Sequence, residues 1–272
     1  MPQPVENVAG AFARPDRPTI TARMLLVAAH PDDETIGLGA QLHRCTNLTL
    51  LHLTDGAPRN LVDAHRHGFE DAAAYAAARS RELKAALAAG GVRARTLSMG
   101  RADQGLWCEL VECARELTRL VQDWRPEILL THAYEGGHPD HDSAAFICQL
   151  ATAALPIETR PARLEFAGYN AADGALRWGK FIDRPDLPVS EIVLEAEESE
   201  RKAAMLACFT SQAEVLQSIP LSPEHLRPAP GYDFTQPPHA GALWYESQDW
   251  GAKGADWREA ARKALHRLSA PP

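Results

Sequence analysis

The 272-residue sequence contains no apolar run approaching the ~20 residues a helix needs to cross a bilayer, so an integral membrane protein is not expected. It also lacks a Lys/Arg-rich run. A net charge of −8 argues against a broad basic surface for nucleic acid. Residues 1–22 carry Pro2, Pro4, Pro15 and Pro18 but no apolar core of a signal peptide, and are expected to form a loose arm or a partly docked strap. Cysteine is scarce and not paired in spacing. Cys45, Cys108, Cys113, Cys148 and Cys208 are expected to stay reduced in a cytoplasm, mostly as small core residues. No internal repeat appears, and the only compositional bias is toward alanine.

What remains is an ordinary globular composition, 45% apolar and 24% charged, long enough for one large domain or a domain with an appendage. Up to about residue 155, short apolar segments alternate with helical ones. Met24–Ala29, Leu48–Leu53, Ala94–Met99 and Glu127–Thr131 read as buried parallel strands. Helices are expected over Gly37–Leu42, Glu70–Ala89 (stopped by Gly90-Gly91), Glu109–Trp124 and Asp142–Ala154. This order predicts an α/β, Rossmann-like, mostly parallel sheet flanked by helices. The expected division is an arm (1–22), a metal-site domain (23–160) and a smaller C-terminal α+β extension (161–272) packed on the same domain. In the extension, strands are expected at Leu164–Tyr169, Ala175–Ile182 and Glu191–Leu194. Helices are expected at Glu197–Phe209 and Gly254–Leu268, with a proline-rich structured loop over residues 218–241.

Two clusters carry chemistry. His30-Pro31-Asp32-Asp33-Glu34 follows the first strand, and His138-Pro139-Asp140-His141 follows the fourth. In open α/β sheets ligands bind beyond the carboxyl ends of the strands, where the strand order reverses. His30 and Asp33, three apart at a strand-to-helix turn, together with His141, make two imidazoles and a carboxylate for a divalent ion, leaving a position for water. Asp32 is then the candidate general base, and His138 the group facing the developing oxyanion or protonating the leaving amine. Asp140 is assigned to orienting a histidine. The competing reading is that Asp-Asp-Glu only starts the next helix and that each histidine is structural. Two clusters at matching strand ends argue against it. Glu34 is assigned to the helix start or to support of a ligand. His132, at the end of the fourth strand, and His239, in the proline-rich segment, remain open. His43, His52, His65, His67, His225 and His266 have no partner motif.

Ala29-His30-Pro31-Asp32-Asp33-Glu34 together with His138-Pro139-Asp140-His141 resembles the PIG-L / LmbE-like family of zinc-dependent N-deacetylases. Thr54-Asp55-Gly56, Arg79-x-x-Glu82, Lys202-Ala203-Ala204-Met205-Leu206 and Ser211-Gln212 match in order, so the likeness covers roughly residues 23–217. It implies one zinc ion per chain on His30, Asp33 and His141; by ligand type alone, iron(II) is the second candidate. Asp32 would be the base and His138 the oxyanion stabiliser or acid. The implied substrate is a small-molecule N-acetylated sugar, often a glucosamine derivative. The sequence departs from the family where Ala57 follows Thr-Asp-Gly, and where Gly136 stands at a position some members fill with Tyr. Arg59, Arg79, Arg101, Asp103 and Glu135 are candidate contacts for sugar hydroxyls, and Trp107, Trp178 and Trp244 candidate stacking faces. The surface near Trp244-Tyr245 suits either a substrate or a neighbouring subunit of a homo-oligomer.

Overall fold

The computed structural model describes residues 5–269. In chain order the elements are α1 (Val5–Ala13), β1 (Met24–Ala28), α2 (Asp33–Leu38), β2 (Leu48–Pro58), α3 (Val62–Arg66), α4 (Ala72–Ala89), β3 (Ala94–Asp103), α5 (Leu110–Trp124), β4 (Ile128–His132) and α6 (Pro139–Ala153). The second half adds β5 (Ala162–Phe166), β6 (Tyr169–Asn170), β7 (Arg177–Trp178), β8 (Ser190–Ile192), α7 (Ala196–Leu206), α8 (Ala213–Leu216), β9 (Glu224–Pro228) and α9 (Gly254–Ser269). The main sheet runs β3-β2-β1-β4-β5-β9-β8. Its first five strands are parallel; β9 and β8 extend it antiparallel. The sheet is α/β and Rossmann-like, as the alternation of segments predicts.

Alternate residues of β1 feed opposite sides of the sheet, as strand geometry requires. Met24, Leu26 and Ala28 join Leu38, Leu83, Leu87, Met205 and Phe12 on one face. Leu25 and Val27 join Leu117, Val121, Phe146, Ile147 and Trp257 on the other. Burial on both sides is why these strands read as unbroken apolar runs. The chain leaves β1 toward β2 and returns to β4 on the opposite flank, so the order reverses between β1 and β4. The two His/Asp clusters follow those two strands.

Three expectations need correction, and a fourth, open between a loose arm and a partly docked strap, is narrowed. The helix after the first cluster starts at Asp33 rather than Gly37 and ends at Leu38, so the motif itself forms the first turn. Asp33 and Glu34 there complement the positive end of the helix. The segment 218–241 is not all loop: β9 lies within it, between β5 and β8. Pro223 precedes the strand and Pro228 ends it, positions where a missing N–H is tolerated. Its polar look arises because buried Glu224 pairs with Lys202, and buried Arg227 with Glu165 and Glu135. The strand expected over Ala175–Ile182 shrinks to Arg177–Trp178, paired with Tyr169–Asn170 in a small hairpin. Finally, the arm contains a helix, α1, with Val8, Ala9 and Phe12 buried in the core and Phe12 fully so; residues 1–4 of that expected arm lie outside the described residues.

Candidate metal centre

The loop after β1 bends at Asp32, which adopts φ 155° and ψ −23°, a sparsely populated conformation for a non-glycine residue. The bend folds Asp33 back so that its Oδ2 accepts the His30 N–H at 2.6 Å. Two family-like fragments brace it. Thr54 Oγ1 donates to the Ala29 carbonyl at 2.8 Å, and the Arg79 guanidinium reaches from α4 to the Pro31 carbonyl at 3.0 Å and to Asp32 Oδ2 at 3.1 Å. Behind it, Glu34 Oε2 contacts His52 Nε2 at 3.0 Å, giving both residues a supporting role. Across the switch point, His138 caps α6: its Nδ1 accepts the Asp140 backbone N–H at 3.1 Å. That bond leaves the proton of a neutral ring on Nε2.

The structure brings the candidate ligands together. Asp33 Oδ1 lies 3.1 Å from His141 Nε2, and Asp33 Oδ2 lies 3.2 Å from His30 Nδ1. Ligands about 2.1 Å from a tetrahedral ion stand about 3.4 Å apart, so these separations suit a divalent cation. Donor atoms of His30, His138 and His141 also fall within 4.8 Å of one another, as do those of Asp33, His132 and His141. His132 is the poorer donor of that set. Its ring stacks on His141 at 4.0 Å, and its Nε2 already accepts the Ala29 N–H at 3.0 Å. It lies beneath His141, and the end of β4 is the signal that pointed to it.

The far nitrogen of His30 faces two carboxylates, Asp103 at 3.0 Å and Asp140 at 3.3 Å, the arrangement that fixes a ligating imidazole. Asp140 is itself held by the N–H groups of Gln104 and Leu106. Burial alone would push the Asp33 carboxyl up, but His141, His132 and His30 hold it well below the ordinary range. Asp32 behaves oppositely: burial raises it to about 7, against the pull of Arg79. Burial, then the charges on His30 and His141, drive His138 well below an ordinary imidazole, so it stays neutral.

The expected sugar contacts divide. Arg79 and Asp103 line the cleft. Arg101 is drawn aside by Glu116 at 2.9 Å and Glu109 at 3.3 Å, and Arg59 is clamped on Asp55 at 2.7 Å; neither lines the cleft. Glu135 is buried and fully engaged, accepting from Ile182 N at 2.7 Å and Asn170 Nδ2 at 3.2 Å and facing Arg227 at 3.3 Å. It staples the β6–β7 hairpin to the loop that carries His138. His239 is half-buried, with its ring Nδ1 against the Ala240 carbonyl, and is not part of the cleft lining.

The sequence reading missed Tyr169 and Trp250. Tyr169 comes from that hairpin, meets the His141 ring edge-on at 5.2 Å and lines the cleft. Trp250 lies 4.5 Å from the His138 ring. Nothing in either residue's neighbourhood in sequence marks it. Gly137 makes the close approach feasible, since a Cβ there would meet the Tyr169 carbonyl at 2.0 Å. At Gly136, φ is +72° and Leu243 fills the space a side chain would need, so no Tyr fits at that position.

Residues 25–152 match the PIG-L family, described as GlcNAc-PI de-N-acetylase. Over those residues, just under half of the chain, the protein is similar to the PIG-L family. The relatives include a 1D-myo-inositol 2-acetamido-2-deoxy-alpha-D-glucopyranoside deacetylase 2 of Catenulispora acidiphila, 35% identical over 147 residues, 44% of this chain and 48% of that protein. The corresponding deacetylase of Nakamurella multipartita is 28% identical, with 79% of this chain and 88% of the other covered. Against the Catenulispora protein and several others, the chain spans only about half the relative's length. A deacetylase from teicoplanin biosynthesis shares the fold with a TM-score of 0.60 at 18% identity, covering 76% of this chain and 97% of the other. So does a 4-carboxy-2-hydroxymuconate hydratase of Pseudomonas putida KT2440, at a TM-score of 0.54 and 18% identity, covering 79% and 98%. Proteins of this fold therefore include a deacetylase and a hydratase, and activity has to be argued from the side chains.

Among the PIG-L-like fragments, the late ones hold α4 and α7 in place. Glu82 accepts from Ser211 N at 2.8 Å and Ser211 Oγ at 2.6 Å, while Lys202 donates to the Ile36 carbonyl at 2.8 Å. No helix among the described residues is long and apolar enough to cross a membrane.

Proposed function

We propose that this chain is a metal-dependent hydrolase that removes the acetyl group from an N-acetyl amino sugar or its conjugate. The observation that carries the reading is that the Asp33 carboxylate stands 3.2 Å from His30 and 3.1 Å from His141, with the donor atoms of His30, His138 and His141 within 4.8 Å of one another and Asp32 next in sequence. His30, Asp33 and His141 would hold the ion, zinc first and iron(II) second. Such a cation polarises an amide carbonyl and makes a nearby water acidic.

The chain's own groups supply the rest. Asp32, with Oδ2 on Arg79, takes the proton from the attacking water; a carboxyl raised to about 7 is suited both to accept it and to return it to the departing amine. His138 is positioned to donate from Nε2–H to the carbonyl oxygen as charge builds there. A neutral His138, which a neighbouring cation would hold neutral, fits the stabilising role better than that of proton donor to the amine. The Tyr169 hydroxyl, facing the same space, is a second donor. Asp140 and Asp103 keep His30 oriented. Arg79 and Asp103 are the polar groups offered to sugar hydroxyls. We place the protein in the cytoplasm, where its five free thiols remain reduced.

The test is release of free amine from a panel of N-acetylated sugars by protein of known metal content. Turnover abolished by chelation and restored by zinc or iron(II) is expected. Turnover indifferent to metal, or none on any N-acetyl sugar, overturns the proposal.

A further inference from the structure

We infer that the rim of this cleft is a subsite for an apolar aromatic group attached to the amino sugar, so that aryl conjugates are preferred to polyhydroxylated ones. The inference rests on the amide-hydrolysing reading of the floor and extends it to the part of the substrate that does not react.

The cleft has a volume of about 640 Å3, within the range of pockets that enclose a whole drug-sized ligand, so it has room beyond an acetamido sugar. Its floor is imidazole and carboxylate, and its rim is different. Among the described residues, five large apolar side chains stand exposed: Val62, Ile157, Val189, Val193 and Val215. Two of them, Val62 at 54% and Val215 at 50%, border this cleft from separate helices, α3 and α8. Exposed apolar groups gathered around a polar site mark a surface that expects cover. On the hairpin side Leu176 and Trp178 add to the rim, with Trp178 packed on Tyr169 at 4.5 Å; Trp244 and Trp250 add indole faces.

The rim is held in place. Gln212 donates to the Tyr75 hydroxyl at 2.6 Å and Glu82 binds Ser211, which fixes the start of α8 on α4. The backbone N–H of Trp244 donates to the Gly136 carbonyl at 2.9 Å, tying that segment to the loop that carries His138. Charged groups are present too, but Asp63 and Arg66 face each other at 3.4 Å, and Glu214 and Asp249 are solvent-exposed. A polyhydroxylated group could meet Asn60, Gln248 or Asp249 elsewhere on the rim, but laid on Val62, Val215 and Trp178 it would set polar surface against apolar side chains. A flat aromatic ring would cover the valines and stack on indole.

The experiment compares kcat/KM for the 2-naphthyl, methyl and inositol glycosides of N-acetylglucosamine. The naphthyl compound should exceed the methyl one by roughly 10–100-fold, mainly through KM. Trp178→Ala and Val62→Ser/Val215→Ser should each pull that ratio toward one. A wild-type ratio near one, an unchanged ratio in the variants, or a preference for the inositol glycoside or a chito-oligosaccharide would overturn the inference. If no N-acetyl sugar is deacetylated, the reading of the floor fails instead. The subsite is then tested alone by tryptophan fluorescence quenching with naphthyl glucosaminide. Binding at least about 10-fold tighter than the methyl compound, weakened by Trp178→Ala, supports it; equal binding overturns it.

Discussion

The parallel half of the molecule and the part after residue 160 contribute to one cleft in opposite ways. The β1 and β4 ends supply a floor of imidazoles and carboxylates, each fixed by backbone hydrogen bonds and helix starts. The later part supplies a wall, with Tyr169 and Trp178 on a two-strand hairpin and Trp244 and Trp250 on an irregular segment. The family match ends at residue 152, before any of that wall. On the proposed reading, reaction type resides in the floor and choice of substrate in the wall, as is usual when a rigid sheet carries variable loops.

The sharpest way to break this division is Asp32→Asn. Removing the base should cut turnover by about 10²–10⁴-fold while bound metal is unchanged, measured by amine release beside elemental analysis. Loss of the metal would instead make Asp32 a ligand. Tyr169→Phe asks whether the wall also takes part in chemistry. A drop of about 10²-fold in kcat with KM nearly constant is expected, smaller on an N-trifluoroacetyl substrate, whose oxyanion needs less help. An effect confined to KM would return Tyr169 to the wall alone.

Arg227→Ala tests the join between the two regions. It strands buried Glu135 and Glu165, both raised to about 7 by burial, and should cost about 3–5 kcal/mol of stability in a denaturant titration. A change within 1 kcal/mol would show that the staple is not needed. The pH profile follows from Asp32. The base must be deprotonated to act, and burial places its value at about 7, so kcat/KM should fall as pH drops through that region. A cation beside it can only move the midpoint lower; a midpoint well above 7 would assign the limb to another group. The smallest effect is expected from Arg101→Ala, less than about 2-fold in KM, because Glu109 and Glu116 already hold the guanidinium away from the cleft.

The floor was legible in the sequence because local rules set it. Apolar runs bounded by turns gave the parallel strands, and clusters placed directly after β1 and β4 had to emerge at the switch point. Glu135 looked like a sugar contact because a carboxylate beside the catalytic loop carries no sign of its partners, and Arg227, Asn170 and Ile182 are far away in sequence. β9 hid in a proline-rich stretch because Glu224 and Arg227 are buried by pairing rather than by apolar character. Tyr169 and Trp250 reach the site only through tertiary docking on Gly137 and His138. No local pattern announces that.

The most direct test of the central claim is the metal content of three purified proteins after dialysis against zinc. The wild type and Asp32→Asn should each retain about one ion per chain, and His141→Ala close to none. Equal retention by wild type and His141→Ala would mean that the two strand ends do not share a cation, and the account of the floor would fall.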